Sequence, residues 1–260
     1  MKLAILYICT GKYSIFFNDF YESSEKFFLP GVEKSYFVFS DHRELSNYKN
    51  VHFTYKDCEG FPLDSLFRFR TFLKVESQLL EYDYVFFFNS NMQFVDFVDE
   101  SILPEEKDGY LCCLDAGYEL VYPHPCFYPY ERNRKSTAYI PRGLKEYHYY
   151  HAALNGGRPA EYLAMCRQLN ESILSDYNHG IVAIYHDESH LNKYFSGHAC
   201  KRLSPIYGVA EGDGAAQNAK LVIVDKTKYD SYFNKGRKNS IWGKVLKTVK
   251  RVNHILKWYL

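Results

Sequence analysis

The chain has 260 residues, 47% of them hydrophobic and 18% aromatic, and a formal charge of +1. That is ample apolar surface for a large core, and so balanced a total lacks the basic footprint of a nucleic-acid-binding protein, so no nucleic-acid partner is expected. The seven cysteines form no Cys-x-x-Cys pair and are odd in number, which fits reduced thiols in a cytoplasmic protein.

Met1 to Ile8 reads as a first strand and not as a signal peptide, because no cleavage site follows the short apolar run. No transmembrane segment is expected either. After Cys9-Thr10-Gly11-Lys12-Tyr13 comes a helix with Phe16, Phe17, Phe20 and Tyr21 on its apolar side. Ser35 to Ser40 and Val51 to Tyr55 read as the next strands. Leu66 to Leu80 is expected as one helix that buries Leu66, Phe69, Phe72, Leu73, Val75 and Leu79 and carries Arg68 and Arg70. Alternation of strands and helices argues an α/β fold with a central sheet flanked by helices.

The centre of the chain is Tyr84-Val85-Phe86-Phe87-Phe88, an unbroken apolar run that ends in Asn89-Ser90-Asn91. Such a run predicts a strand buried on both faces. In α/β sheets the ligand crevice lies beyond the carboxyl ends of the strands, so the two carboxamides stand where a substrate would be met. An amide contributes no charge to a divalent cation, and a metal-free site with no cofactor is expected.

Tyr110 to Leu114 is another apolar run, followed by an irregular Pro- and Tyr-rich stretch from Val121 to Pro141. Tyr147 to Gly157 ends in Asn-Gly-Gly and reads as a close-packed turn or a place where backbone approaches a ligand. A helix follows from near Ala160. Tyr185-His186-Asp187-Glu188-Ser189-His190 reads as a loop entering a helix, its acids placed where the helix dipole favours them. Two histidines at i and i+4 invite comparison with a zinc helix, but there Glu follows the first His directly, whereas here Asp187 does.

Taken together these residues resemble glycosyltransferase family 6, the retaining α1,3-galactosyl- and N-acetylgalactosaminyltransferases, and specifically its bacterial branch. The resemblance runs from about residue 3 to about residue 230. It rests on Ile8 to Tyr13, Asn89-Ser90-Asn91 in place of Asp-x-Asp, Tyr130-Glu131-Arg132, Ala138-Tyr139-Ile140-Pro141, His151-Ala152-Ala153, Gly156-Gly157 and His186-Asp187-Glu188-Ser189. It implies a GT-A type nucleotide-sugar-binding fold over residues 1–235. It further implies that Tyr13 stacks on uracil while the backbone of Ile8, Cys9 and Thr10 reads its edge. Arg68 engages the donor, Asn89 and Asn91 touch ribose or diphosphate, and Asp187 holds hydroxyls of the donor sugar. Glu188 lies beneath the anomeric carbon. Lys226, Lys228, Lys235 or Arg237 adds positive charge, with Lys228 taken as the donor-binding one. Asp115, Tyr185 and His186 face the acceptor. The form His151-Ala152-Ala153 implies UDP-galactose as donor, with UDP-N-acetylgalactosamine as the alternative and a non-catalytic sugar-nucleotide-binding protein a further one. The acceptor implied is an oligosaccharide or glycolipid ending in β-galactose.

The resemblance does not cover residues 236–260. After Asp230 come eight Lys or Arg and no Asp or Glu, whereas the first 230 residues hold 24 basic residues against 31 acidic ones. Apolar residues from Ile241 to Leu260 recur at helical spacing among these charges. That pattern predicts an amphipathic helix lying on an anionic membrane, with its Trp residues at headgroup level, on the inner face of the cytoplasmic membrane, and the alternative is a helix docked on the domain or on a partner. On this reading, deletion after Ser240 leaves activity on soluble sugars intact.

Overall fold

Leu3, Ile5 and Tyr7 alternate with Ala4 and Leu6 along β1 (Lys2–Ile8), and the two sets enter different cores on opposite faces of one sheet. The same period of two places Phe86 and Phe88 on one face of β4 (Tyr84–Phe88) and Val85 and Phe87 on the other. All nine side chains are buried. At roughly 1.5–3 kcal/mol for each fully buried large apolar side chain, two such faces suffice to fix which strands are central. The computed structural model describes residues 1–234 and 241–259.

The seven-stranded sheet also contains β2 (Glu33–Ser40), β3 (Val51–Tyr55), β6 (Leu111–Asp115), β7 (Tyr150–Gly157) and β8 (Lys201–Leu203), in the order β3-β2-β1-β4-β7-β6-β8. All pairs are parallel except those made by β7, which runs against both β4 and β6. A smaller sheet joins β5 (Met92–Phe94), β9 (Val209–Ala210) and β10 (Leu221–Ile223). The helices are α1 (Phe17–Phe27), α2 (Leu63–Leu66), α3 (Arg68–Phe72), α4 (Glu76–Leu79), α5 (Tyr118–Val121), α6 (Pro159–Asn178), α7 (His186–Phe195) and α8 (Ile241–Tyr259). This is the expected α/β architecture with a mixed sheet flanked by helices, in a GT-A-like arrangement.

Two local readings are corrected. Residues 66–80 are not one helix. Phe67 (φ −100°, ψ 21°) and Val75 (φ −119°, ψ 18°) depart from helical angles and divide the segment into α2, α3 and α4. Asn155-Gly156-Gly157 is not a turn but the end of β7, paired with Val85 to Phe87. A Cβ at Gly156 would stand 2.6 Å from both Phe86 Cδ1 and Val85 O, and one at Gly157 would collide with Tyr110 O. The glycines thus make room for an aromatic strand. Gly156→Ala is expected to lower unfolding stability by about 1–3 kcal/mol through overpacking, read as a lower urea midpoint with unchanged slope.

The topology also explains where the site lies. β1 and β4 are neighbours, so the chain leaves the sheet side by side at Cys9-Thr10 and at Asn89. Because β7 is reversed, its first half extends past the carboxyl end of β4, and the Asn89 N–H donates to the Ala153 carbonyl at 2.7 Å. Asn192 on α7 clamps β7, accepting from Tyr150 N at 2.9 Å and donating to Tyr150 O at 2.8 Å. That clamp sets the first turn of α7 against His151-Ala152-Ala153.

Candidate active site

At the exit of β1, Ser40 Oγ donates to the Cys9 carbonyl (2.7 Å), Gly11 takes a left-handed conformation (φ 54°), and Asp41 accepts its N–H at 2.8 Å. Thr10 Oγ1 donates to Asp64 at 3.0 Å, and Asp64 also pairs with the buried Lys56. These contacts shape a cavity of about 510 Å³ lined by Ile8, Thr10, Tyr13, Asp64, Arg68, Asn89 and Lys226, among others. Ile8, Thr10, Tyr13, Arg68 and Asn89 are therefore brought together. Cys9 lies between two of them with its side chain wholly buried in the core, where burial pushes its thiol pKa up, so only its backbone is available to a ligand.

Beyond the β4 exit the two carboxamides bond to each other, Asn89 Nδ2 donating to Asn91 Oδ1 at 2.9 Å. Asn91 Nδ2 in turn donates to Val224 O (3.1 Å), and Val224 N–H donates to Asn91 O (2.8 Å). Asn89 faces both the first cavity and a second of about 520 Å³, which Asn91, His151, Glu211 and Lys226 also line. Lys226 Nζ donates to the Tyr13 hydroxyl at 3.0 Å. Lys228, two residues on, pairs instead with Glu211 at 2.5 Å and lines neither cavity. Lys235 and Arg237 lie outside the described residues.

Arg68 is buried, with its guanidinium over the Phe87 ring at 4.7 Å and Nη1 donating to the Ala152 carbonyl at 3.2 Å. Its Nε lies 2.9 Å from Asp187 Oδ2, although the N–H itself is directed at the Ser65 carbonyl (3.3 Å), so the contact is an ion pair without an aligned hydrogen bond. Burial raises the Asp187 pKa to about 7; Arg68 opposes the rise and Glu188 adds to it. Perturbed carboxylates of this kind concentrate at functional sites.

Glu188 is held at both oxygens. Tyr149 Oη donates to Oε1 at 2.6 Å, and the Ala152 N–H donates to Oε2 at 2.9 Å. The His151 ring is 3.8 Å from Oε2 and accepts the Ala153 N–H at Nδ1 (3.1 Å). His186, just upstream, adopts φ 52°, a conformation rare outside glycine and typical of strained functional positions. Its ring meets the exposed Phe61 edge-on at 4.8 Å, and burial lowers its pKa. Tyr185 is exposed, and its N–H is capped by Ser189 Oγ at 3.0 Å. A fixed carboxylate beside an Arg–Asp pair can stabilise developing positive charge or act as a nucleophile, while the guanidinium offsets negative charge on a leaving group. Tyr149 lacked an expected role, because nothing in Tyr-His-Tyr-Tyr-His distinguishes the ring that turns inward.

A model of Glycosyltransferase family 6 matches residues 2–232. The chain belongs to glycosyltransferase family 6. It is 34% identical over 236 residues to the O-antigen biosynthesis glycosyltransferase WbnI of Escherichia coli, a match covering 90% of this chain and 99% of that protein. Identity to human globoside alpha-1,3-N-acetylgalactosaminyltransferase 1 is 30% over 222 residues, 80% of this chain and 60% of the relative. For the rat histo-blood group ABO system transferase 1 it is 31% over 213 residues, 75% and 57% respectively. The chain thus spans almost all of the bacterial family 6 relative and about three-fifths of these two animal ones.

One expectation for this family 6 protein is overturned. The two carboxamides imply no divalent metal, yet Asp115 at the end of β6, Glu119 on α5 and His148 ahead of β7 each bring a ligand atom within 4.8 Å of the others. Two carboxylates and an imidazole form a donor set suited to a divalent cation. The group gathers three separate elements, which is why no motif announced it. It lies where Asp115 was expected to meet the acceptor, away from the Asn89-Ser90-Asn91 turn. Arg202 Nη1 shares the space, 2.9 Å from His148 Nδ1 and 3.0 Å from Glu119 Oε1, and leaves Glu119 Oε2 buried with no hydrogen-bond partner.

Proposed function

We propose that this protein transfers a sugar from a UDP-sugar donor, with retention and in α1,3 linkage, to an acceptor ending in β-galactose. The observation that carries the reading is Arg68, which lines the cavity at the exits of β1 and β4, pairs behind it with Asp187 and shares Ala152 with Glu188, its guanidinium on the carbonyl and the carboxylate on the N–H. Tyr13 stacks on uracil, and Thr10 and the backbone of Ile8 read its edge. Asn89 meets the ribose or diphosphate. The bond from the anomeric carbon to the diphosphate oxygen breaks with its electron pair going to UDP, where Arg68 and Lys226 offset the charge. The new bond forms to the acceptor 3-oxygen as its proton passes to the departed diphosphate, with Glu188 beneath the anomeric carbon as nucleophile, displaced again by the acceptor, or as the stabiliser of an oxocarbenium-like sugar.

N-acetylgalactosamine is the donor sugar that the relatives support better, since the human globoside enzyme is named for it. Galactose is the second reading, favoured by His151, whose ring lines the cavity next to Glu188. Parallel assays with UDP-N-acetylgalactosamine and UDP-galactose on lactose, N-acetyllactosamine and fucosylated lactose decide this. A kcat/KM preference of ~10-fold or more for the N-acetyl donor is expected, and the reverse preference restores galactose. Absence of transfer from both donors would sink the reading as a whole.

The tail completes this reading as a peripheral contact with an anionic membrane, on the cytoplasmic side. No helix among the described residues is long and apolar enough to cross a bilayer. Support comes from Val249, Val252 and Leu256, which are exposed along one edge of α8 close to Lys250 and Lys257. Trp258 is buried and takes no part in that edge; the side chain of Trp242 and the boundary at 235–236 lie outside the described residues.

A further inference from the structure

Tyr130-Glu131-Arg132 has no part in the transfer chemistry above, yet its three side chains reach three different segments: the approach to β7, the approach to α7, and α8. Tyr130 Oη donates to the His148 carbonyl at 2.6 Å, just before β7. Glu131 Oε2 accepts the Ile184 N–H at 2.7 Å, which ties down the approach to His186 and α7. Arg132 turns the other way, toward α8. Its Nη2 donates to Pro125 O and Tyr128 O, both at 3.2 Å, while Nε and Nη1 are buried without a hydrogen-bond partner. Two rings lie over this guanidinium, Trp258 at 4.2 Å and Tyr130 at 5.5 Å.

The seat of α8 on this face is periodic. Arg251 lies over Tyr122 at 5.2 Å, His254 Nε2 meets the Tyr128 carbonyl at 3.0 Å, and Trp258 packs on Arg132 and, at 5.5 Å, on Tyr147. Positions i, i+3 and i+7 form one helical stripe, and Val249, Val252 and Leu256 lie outside it. From Trp258 the contacts run inward through Arg132 and Tyr130 to Tyr149, whose ring is 5.6 Å from that of Tyr130 and whose hydroxyl holds Glu188. A buried guanidinium with an indole as its nearer aromatic neighbour is a strong reason for the indole to stay.

We propose that α8 backs the active site from behind Tyr130 and Tyr149 and that Trp258 is a positioning residue. Seated on Arg132, it fixes Tyr130 and Tyr149, and through them the Glu188 carboxylate and the acceptor side. The catalytic half of this proposal rests on the transfer reading given above. It reverses the expectation that the tail is dispensable on soluble acceptors.

The test uses the full chain with Trp258→Ala and Trp258→Phe. For the alanine variant kcat falls ~10-fold and acceptor KM rises ~10-fold, while donor KM stays within about twofold. The phenylalanine variant, which restores an aromatic cover, recovers most of both. Hydrogen exchange in residues 147–153 is read in parallel and speeds up in the alanine variant, because the Ala152 N–H loses its fixed acceptor. Wild-type kinetics and exchange in Trp258→Ala would overturn the proposal, as would equal losses for donor and acceptor. Should Trp258→Ala fail to fold, Trp258→Leu, which keeps the cover but has no aromatic face, carries the same comparison. If the wild-type chain transfers no sugar, the transfer reading fails, and the exchange data still decide whether α8 holds Tyr149 and Glu188.

Discussion

Glu188→Gln is expected to lower kcat by ~10²-fold or more while UDP affinity, measured by calorimetry, stays within about twofold. The size of the effect follows from how the carboxylate is held. Both oxygens are engaged, one by Tyr149 Oη and one by the Ala152 N–H, so the group is fixed before substrate arrives and spends little on reorganisation. Glutamine keeps the shape and can still accept the Ala152 N–H. It removes the negative charge that an oxocarbenium-like sugar or a covalent intermediate requires. Normal turnover in this variant would remove Glu188 from the chemistry and move attention to Asp187.

Asp187→Asn is expected to lower transfer by ~10²-fold while stabilising the fold at neutral pH, a trade familiar at strained sites. The charged groups that face Asp187 are Arg68 and Glu188. Burial dominates and raises its pKa from 3.8 to about 7. The folded chain therefore binds this proton more tightly than the unfolded chain does. The stability linked to it is fully present below about pH 3.8 and is lost as pH rises to about 7. At about 1.4 kcal/mol per pH unit, that span amounts to about 4 kcal/mol at most. The asparagine variant has no proton to lose. Its melting temperature should match that of wild type near pH 4 and exceed it at pH 8, and the wild-type rise in transfer rate through about pH 7 should be absent. A melting difference independent of pH would show that Asp187 is not the titrating group.

The central strands were legible in the sequence. β1 and β4 announce themselves as short unbroken apolar runs, apolar throughout because alternate residues enter different cores, and the Asn89-Ser90-Asn91 exit follows from the strand that precedes it. β7 was hidden because glycine ordinarily weakens a strand, and only the adjacent Phe86 and Tyr110 make Gly156 and Gly157 necessary. The break at Phe67 within residues 66–80 was equally invisible, since its apolar spacing suits a continuous helix. Within the site, the acids of α7 could be read from their place at a helix start. The choice of Lys226 over Lys228 could not, because both lie in one short turn and only the fold shows that Glu211 takes the second. The grouping of Asp115 with Glu119 and His148 escaped notice for a similar reason: it brings together the end of β6, α5 and the approach to β7.

The main chain of His151-Ala152-Ala153 has a consequence for how such an enzyme changes its substrate. The Ala152 N–H holds Glu188, the Ala152 carbonyl holds Arg68, and the Ala153 carbonyl holds the Asn89 N–H. All three bonds belong to the backbone of a sheet strand, so they persist whatever side chains the tripeptide carries. If donor choice is made here, as proposed, an exchange at residue 151, which lines the second cavity, is expected to alter it with Glu188, Arg68 and Asn89 left in register. On that reading the reversed strand is a fixed chassis and the side chain at 151 a replaceable part.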